Sequence, residues 1–141
     1  MSSTPFDKAK IQIDAPPEKN LGEEVSCEVI VTPKTRAKLR KIEISLACVE
    51  TAISRGTTDT TSHKTVLEDI RVPAKDVTLA PGEVLCYKET FRIPPEAPPA
   101  MGGNNHYVNW QIKVRLDVPW WPDTRAEKSL RVNPTVVMEV P

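Results

Sequence analysis

Apolar and polar residues alternate with a period of two through most of the chain, most clearly in residues 107–118. There every second residue from Val108 to Val118 is apolar, and the residues between them are polar or charged. Successive side chains of a strand point to opposite faces, so this pattern predicts a strand with one buried and one solvated face. The same pattern predicts strands at residues 8–13, 25–31, 41–50, 84–93 and 127–132, and less regular ones at 64–72 and 76–79.

No segment carries an apolar stripe at helical spacing over three turns. The chain has 14 prolines, and most of them stand where the alternation stops. Proline is excluded from helix interiors and from central strands, so these positions mark strand ends. We therefore predict an all-β fold, an antiparallel β-sandwich of immunoglobulin-like size with about seven to eight strands. Residues 54–62, which are rich in Ser and Thr, predict a mobile loop.

The length of 141 residues suits one domain. We expect residues 1–141 to form a single sandwich with its core at about 8–133 and a flexible segment at 1–5. The closing stretch 135–141, "TVVMEVP", resembles the start of another strand or domain. No apolar run follows Met1, and no apolar stretch approaches the length of about 20 residues that spans a bilayer. We expect no integral membrane segment.

The cysteine pattern and the charge balance limit the compartment and the partners. Cys27 and Cys48 alternate in phase with apolar neighbours and are predicted to be buried, whereas Cys86 is out of phase and is predicted to be exposed. Three cysteines without CxxC spacing suit a reducing, cytoplasmic compartment. The net charge is zero, which disfavours nucleic acid as a partner. The basic residues 34–41 predict a solvated loop leading into a strand, with an anionic partner or a membrane surface as the alternative.

Catalytic chemistry has little support in the sequence. Only two histidines exist, His63 and His106, and neither has a neighbour at metal-ligand spacing. Both are expected to be exposed turn residues. A Cys–His nucleophile pair would have to join Cys86 to one of them, and no local motif supports it. With five glycines the chain has no phosphate-binding loop. We predict no enzyme, no metal and no cofactor.

The order of the segments carries more information than any one of them. "LGEEVSCEVIV" comes first, and "LAPGEVLCYKETFRIPPEAPPAM" follows after the Ser/Thr-rich stretch. The strand "HYVNWQIKVRLDV" and the segment "PWWPDTRAEKSLRV" close the series. Over residues 8–133 this resembles the arrestin-like fold family, in which a G-E-x-V strand, an L-x-P-G turn and an F-x-x-P segment precede such a strand. Its members include arrestins, α-arrestin trafficking adaptors, the cargo-binding retromer subunit and bacterial sporulation-control proteins.

The resemblance implies a non-catalytic sandwich that binds proteins through edge strands and end loops. Arrestins carry two sandwiches in tandem, and this chain has room for one. It has no assignable polar core of opposite charges and no PPxY-type motif. A receptor-phosphate sensor is therefore not implied, but a protein-interaction adaptor is. Homodimerisation through edge strands is a further expectation, since a lone sandwich leaves exposed the surface that a second sandwich would cover in a tandem arrestin.

Two adjacent tryptophans follow the strongest predicted strand. Continued alternation from Val118 would place Trp120 inward as a plug of the core and Trp121 outward toward a partner. Trp is favoured at interaction hot spots. The candidate partner-binding residues are Trp120, Trp121, Asp123, Asn104, Asn105 and His106. The alternative is a small-ligand or carbohydrate site, in which the tryptophans stack on a sugar and the amides of the Asn residues bind its hydroxyls.

Overall fold

Every segment predicted from the alternation falls in a strand of the computed structural model, which describes residues 8–134, although the two predicted at 64–72 and 76–79 are parts of one strand. The eight strands are β1 (Ala9–Asp14), β2 (Glu18–Asn20), β3 (Glu24–Pro33), β4 (Ala37–Ser54), β5 (Thr60–Leu79), β6 (Leu85–Arg92), β7 (His106–Asp117) and β8 (Thr124–Asn133). No helix occurs in the described range. Only β2 was not predicted, because three residues are too few to show a period. The expectations for residues 1–5 and 135–141 lie outside the described residues.

The strands form two sheets that pack face to face. The smaller sheet has the order β1-β3-β6, and the larger one has the order β2-β8-β7-β4-β5. All pairings are antiparallel except the short parallel pair of β2 with β8. This is the antiparallel β-sandwich that the alternation predicts.

The inward residues of both sheets form one core. Trp110 lies at its centre with 1% of its surface exposed, and Phe91 is fully buried. The indole N–H of Trp110 donates to the carbonyl of Pro98 at 2.9 Å, so its polar atom is satisfied inside the apolar core. Cys27 and Cys48 are buried and Cys86 is exposed, which confirms the prediction from phase.

The loop predicted at residues 54–62 is confined to residues 55–59. β4 continues to Ser54 and β5 begins at Thr60, which pairs with Ser54. Thr is β-branched and favours strands, and its frequency here fits an exposed hairpin as well as a loop. His63 consequently lies in β5, where its Nδ1 is 3.0 Å from the hydroxyl of Thr51. His106 likewise opens β7. Both histidines are exposed as expected, but both lie in strands and not in turns.

The strand register brings distant segments together at two ends of the sandwich. Ala9 pairs with Pro33, Ala37 with Leu79, and Lys41 with Asp117. One end, here called the tryptophan end, therefore holds the start of β1 and three connections, at 34–36, 80–84 and 118–123. The opposite end holds the β4–β5 turn at 55–59 and the segment 93–105.

Candidate interaction surfaces

The two adjacent tryptophans lie in the turn that joins β7 to β8. The N–H of Trp121 donates to the carbonyl of Val118 at 3.4 Å. Pro119 is the second residue of this turn, and Trp120, the third, has a φ of 66°. Proline followed by a positive φ is the arrangement of a type II turn.

This turn overturns the prediction that Trp120 plugs the core. Its side chain is 96% exposed, because Pro119 ends the strand pairing and the turn rotates the next residue away from the sheet. The side chain of Trp121 is 52% exposed and is therefore in closer contact with the protein than that of Trp120. The Nζ of Lys8 lies 4.5 Å from the centroid of the Trp121 ring, a cation–π distance. Trp120 therefore protrudes at the apex, and Trp121 rests against the start of β1.

Asp123, the third candidate at this end, holds the hairpin together. Its side chain is 17% exposed. Its oxygens accept from the N–H of Val118 at 3.2 Å and from the guanidinium of Arg115 at 3.0 Å. Arg125 stands directly opposite Arg115 in the sheet, and the carboxylate of Asp123 lies within 3.7 Å of the Arg125 guanidinium. Asp123 thus offsets the repulsion between two cations. Its carboxylate oxygens are already occupied by these contacts, so they offer little to a binding partner.

The same ion-pair network continues across the outer face of the larger sheet. Arg115 Nε donates to Glu43 at 3.0 Å, and Lys41 Nζ lies 2.8 Å from the other oxygen of that carboxylate. Glu43 and Arg115 are cross-strand partners, so their register fixes the contact. The hydrogen bond from Arg115, and then that from Lys41, lowers the pKa of Glu43. The network anchors the base of the tryptophan hairpin.

The other three candidates lie at the opposite end. The side chain of Asn105 accepts from Arg55 Nε at 3.0 Å, and its carbonyl accepts from the N–H of Ile53 at 2.7 Å. His106 contacts Glu50 through Nε2, and Asn104 is exposed. These contacts fasten the β4–β5 hairpin to the start of β7.

The structure does not bring the two groups of candidates together. The 12 residues of β7 separate the asparagines from the tryptophans, a span of about 37 Å at the rise of a strand. No single small ligand bridges that distance. The carbohydrate site that combined Trp120 and Trp121 with Asn104, Asn105 and His106 therefore lacks the geometry it needs.

A groove of about 650 Å³ opens on β7 and β8 near the opposite end. Its lining includes Met101, Tyr107, Asn109, Ser129 and Arg131. Met101 forms an isolated bridge to Val108, which folds the segment before β7 back onto that strand and creates the groove wall. The sequence gives no sign of this groove, because its wall depends on a pairing between residues in irregular backbone.

Strand β5 forms one edge of the larger sheet and pairs only with β4 among the described strands. Three of its apolar side chains are exposed, Val66 at 41%, Ile70 at 49% and Val72 at 39%. The pairing with β4 is irregular beside Val66 and beside Val72 and Pro73. Such bulges and an edge proline limit uncontrolled pairing of an edge. They leave a regular stretch at 67–71.

An ion pair covers the inner face of this regular stretch. Asp69 and Arg71 form two hydrogen bonds, at 3.2 Å and 3.1 Å. The Arg71 guanidinium also lies 5.2 Å from the centroid of the Phe91 ring in β6. At the other side of the sandwich, Lys128 Nζ donates to the carbonyl of Ala15 at 3.1 Å and ties β8 to the end of β1. Charged side chains thus cover the side of the sandwich formed by β5 and β6, and Lys128 joins the two sheets at the side formed by β1 and β8.

The described residues contain no metal-ligand cluster and no membrane-spanning helix. Within residues 8–134 no group of three His, Cys, Asp or Glu side chains is placed to hold a metal ion. The Cys86 thiol donates to Glu28 at 3.3 Å, and this bond raises its pKa and disfavours the thiolate. Cys86 lies near the tryptophan end, far from both histidines. No helix in the described range is long and apolar enough to cross a membrane.

Comparison with known proteins identifies relatives at the level of family and fold. A family model described as "SpoOM protein" matches residues 9–140. A sequence search of curated proteins returned no match. The crystal structure of Spo0M, a sporulation control protein from Bacillus subtilis, superposes with a TM-score of 0.72 at 20% identity.

The superposition covers 92% of this chain and 51% of the Bacillus protein, so the chain spans about half the length of that relative. At this identity the likeness concerns the fold. The predicted resemblance to the arrestin-like family, with sporulation-control proteins among its members, is confirmed.

Proposed function

The chain belongs to the Spo0M family, and on this premise we propose that it is a non-catalytic protein-interaction module of a regulatory protein. Its Bacillus relative is a sporulation control protein, and we extend a regulatory role of that kind to this chain. The module binds its partners mainly through edge strand β5, with the end loops as further contacts. We place it in the cytoplasm, in keeping with its free cysteines.

The open edge of β5 is the observation that carries this proposal. Strand β5 has 20 residues, and pairing with β4 uses only one of its two edges. Backbone N–H and C=O groups along the other edge are available to an extended partner segment, which would add as another strand. Main-chain hydrogen bonds supply affinity in this mode, and side-chain contacts supply specificity.

The side chains beside the edge suggest what the partner presents. Ile70 pairs with Ser45 and stands on the outer face, where its exposed surface favours an apolar side chain. Asp69 and Arg71 stand on the inner face and favour polar or charged neighbours. An added strand of alternating apolar and polar residues fits this regular stretch. A second copy of the chain, pairing β5 with β5, is the simplest such partner and yields the homodimer expected for a lone sandwich.

The experiment compares the chain with the double variant Ile70→Lys/Val72→Lys, which places two cations beside the edge. Light scattering after gel filtration measures self-association, and capture from cell extract followed by quantitative mass spectrometry measures other partners. We expect the double variant to lose specific partners that the wild type retains. The control is Met101→Lys, which introduces a cation at a side chain of similar exposure, 49%, at the opposite end. Equal partner profiles for wild type and double variant would refute binding at β5.

A further inference from the structure

The tryptophan end is strongly basic, although the chain as a whole has zero net charge. Residues 34–41 contribute five cations and no acid, and Lys8, Lys75 and Arg125 add three more. Four acids lie at the same end, namely Asp76, Glu83, Asp117 and Asp123. With Arg115 and Glu43, which pair with Asp123 and Lys41 at the base of this end, nine cations and five acids meet there, and the rest of the chain carries the compensating negative charge.

Two of the acids at this end are half-buried and already paired with cations. The side chains of Asp117 and Asp123 are only 16% and 17% exposed, and both already form ion pairs. Arg36 and Lys38 are exposed, and no ion pair joins either to a residue in the range 8–134. Asp76 and Glu83 are exposed as well, so the excess of cations over acids, and not a difference in exposure, gives this end its positive field.

Trp120 protrudes from this basic end with a strained backbone and an exposed ring, and neither feature stabilises the fold. A positive φ is costly for a residue with a Cβ, and glycine or asparagine normally fills such a position. The Trp120 side chain recovers none of this cost, since it is 96% exposed. A strained residue with an exposed aromatic ring points to a role outside the fold.

We propose that the tryptophan end binds the surface of an anionic membrane, with Trp120 inserted at the level of the lipid head groups. Tryptophan favours the interface between head groups and acyl chains, where its ring is partly apolar and its N–H remains hydrated. Lys and Arg close to an anionic leaflet add attraction that needs no exact geometry. Both features are present at one end, arranged around a protruding apex.

A membrane fits this end better than an acidic protein does. The exposed cations come from three separate parts of the chain, the segment 34–41, Lys75 in β5 and the start of β8. They surround the apex of the β7–β8 turn, whose outermost ring has almost no protein contact. A laterally fluid anionic surface can satisfy charges that are spread around such an apex. This inference is independent of the proposed function, which concerns the edge of β5.

The test is sedimentation of the chain with vesicles. One set contains equal parts of phosphatidylglycerol and phosphatidylcholine, and the other contains phosphatidylcholine alone. We expect binding to the anionic set only, weakened at least tenfold when salt rises from about 0.1 M to about 0.5 M because screening shortens the reach of the charges. Tryptophan emission should shift to shorter wavelength on binding, since Trp110 is already buried and the change reports on the exposed pair.

Matched variants separate charge from insertion. Trp120→Gly should weaken vesicle binding at least tenfold while the protein stays folded, because the exposed ring supports no packing. Arg36→Glu/Lys38→Glu should weaken it by a similar factor. The control Lys64→Glu/Arg92→Glu makes the same change of net charge at exposed positions near the opposite end and should bind like the wild type.

Several outcomes would overturn the proposal. Absence of binding to anionic vesicles refutes it directly. Binding that Trp120→Gly leaves intact, with no shift in emission, refutes the insertion of Trp120. Equal losses from the two charge variants refute a localised surface. If vesicles are ignored but Trp120→Gly weakens capture of an acidic protein, the tryptophan end is a protein-docking site and the membrane proposal fails.

Discussion

Replacing Trp120 with glycine is expected to stabilise the protein, although it removes one of the three tryptophan side chains, the largest in the chain. Trp120 has a φ of 66° and is 96% exposed. Its ring therefore contributes almost no buried area, whereas its backbone bears the steric cost of the left-handed region. Glycine adopts that region without the cost.

The magnitude follows from two opposing terms. Relief of the left-handed conformation is worth about 1–2 kcal/mol. Greater freedom of glycine in the unfolded chain returns about 0.5–1 kcal/mol of this. The net gain is about 0.5–1 kcal/mol in the free energy of unfolding, which corresponds to a rise in Tm of about 1–4 °C for a chain of this size.

Two further variants isolate the cause. Trp120→Ala removes the same ring but keeps a Cβ at the positive φ, so its stability should stay close to that of the wild type. Trp121→Ala removes a half-buried ring and its contact with Lys8. At about 25 cal/mol per Å² of apolar surface, this loss costs about 1–2 kcal/mol. Chemical denaturation with unchanged m-values, together with thermal unfolding, measures all three.

The order of stability among the three variants tests whether the positive φ at Trp120 is the cause. Glycine at position 120 should be most stable, alanine at 120 intermediate, and alanine at 121 least stable. A Trp120→Gly variant that lost 1 kcal/mol or more would show that the ring packs against the fold in solution and that relief of the positive φ does not stabilise the protein.

Three further variants probe other parts of the fold. Trp110→Phe should lower stability by about 1–2 kcal/mol in denaturant unfolding, because it removes the hydrogen bond to the Pro98 carbonyl and leaves a small void; an unchanged midpoint would contradict this. Gly82→Ala should cost about 1 kcal/mol in the same assay, since φ is +90° there although no atom lies within 4 Å of the added methyl group; Gly56→Ala, with open space and no positive φ recorded, is the control. Glu43→Gln should cost about 1 kcal/mol at neutral pH. Because the folded pKa of Glu43 is lowered, this deficit should be present above the unfolded pKa and vanish as the pH falls through the folded pKa; a deficit that persisted in acid would exclude the ion pairs as its cause.

The phase of the alternation between apolar and polar residues predicts most of the buried residues of the core. The inward residues of β7, from Val108 to Leu116, are all buried, and so is Val118. Ile13, Leu85 and Tyr87 alternate in phase with buried residues of their strands but are only half-buried. Leu85 and Tyr87 belong to β6, an edge strand of the smaller sheet. A period of two shows which face of the sheet a side chain occupies. How deeply that side chain is buried depends on the order of the strands in the sheet, which the alternation does not reveal.

The candidate surfaces were harder to predict for the same reason. Extending alternation past Pro119 placed Trp120 inward, whereas a turn with a positive φ directs it outward. The motif Val-Pro-Trp-Trp contains no glycine, so the usual signal of such a turn is missing. The nearness of residues 34–41 to the tryptophans also depends on register, through Lys41 opposite Asp117 and Lys34 bonded to Lys8.

The two proposed surfaces can act at the same time, because they occupy different parts of the sandwich. The regular stretch of β5 at 67–71 pairs with residues 44–48 of β4, whereas the tryptophan end begins where Lys41 meets Asp117. A chain held at a membrane by Trp120 would keep this part of the β5 edge clear of the lipid and open to a partner strand. Ile70→Lys/Val72→Lys should then leave vesicle binding unchanged, and Trp120→Gly should leave partner binding at β5 unchanged in solution. If either variant abolished both activities, the two surfaces would be parts of one site, and the separation that the strand register implies would be wrong.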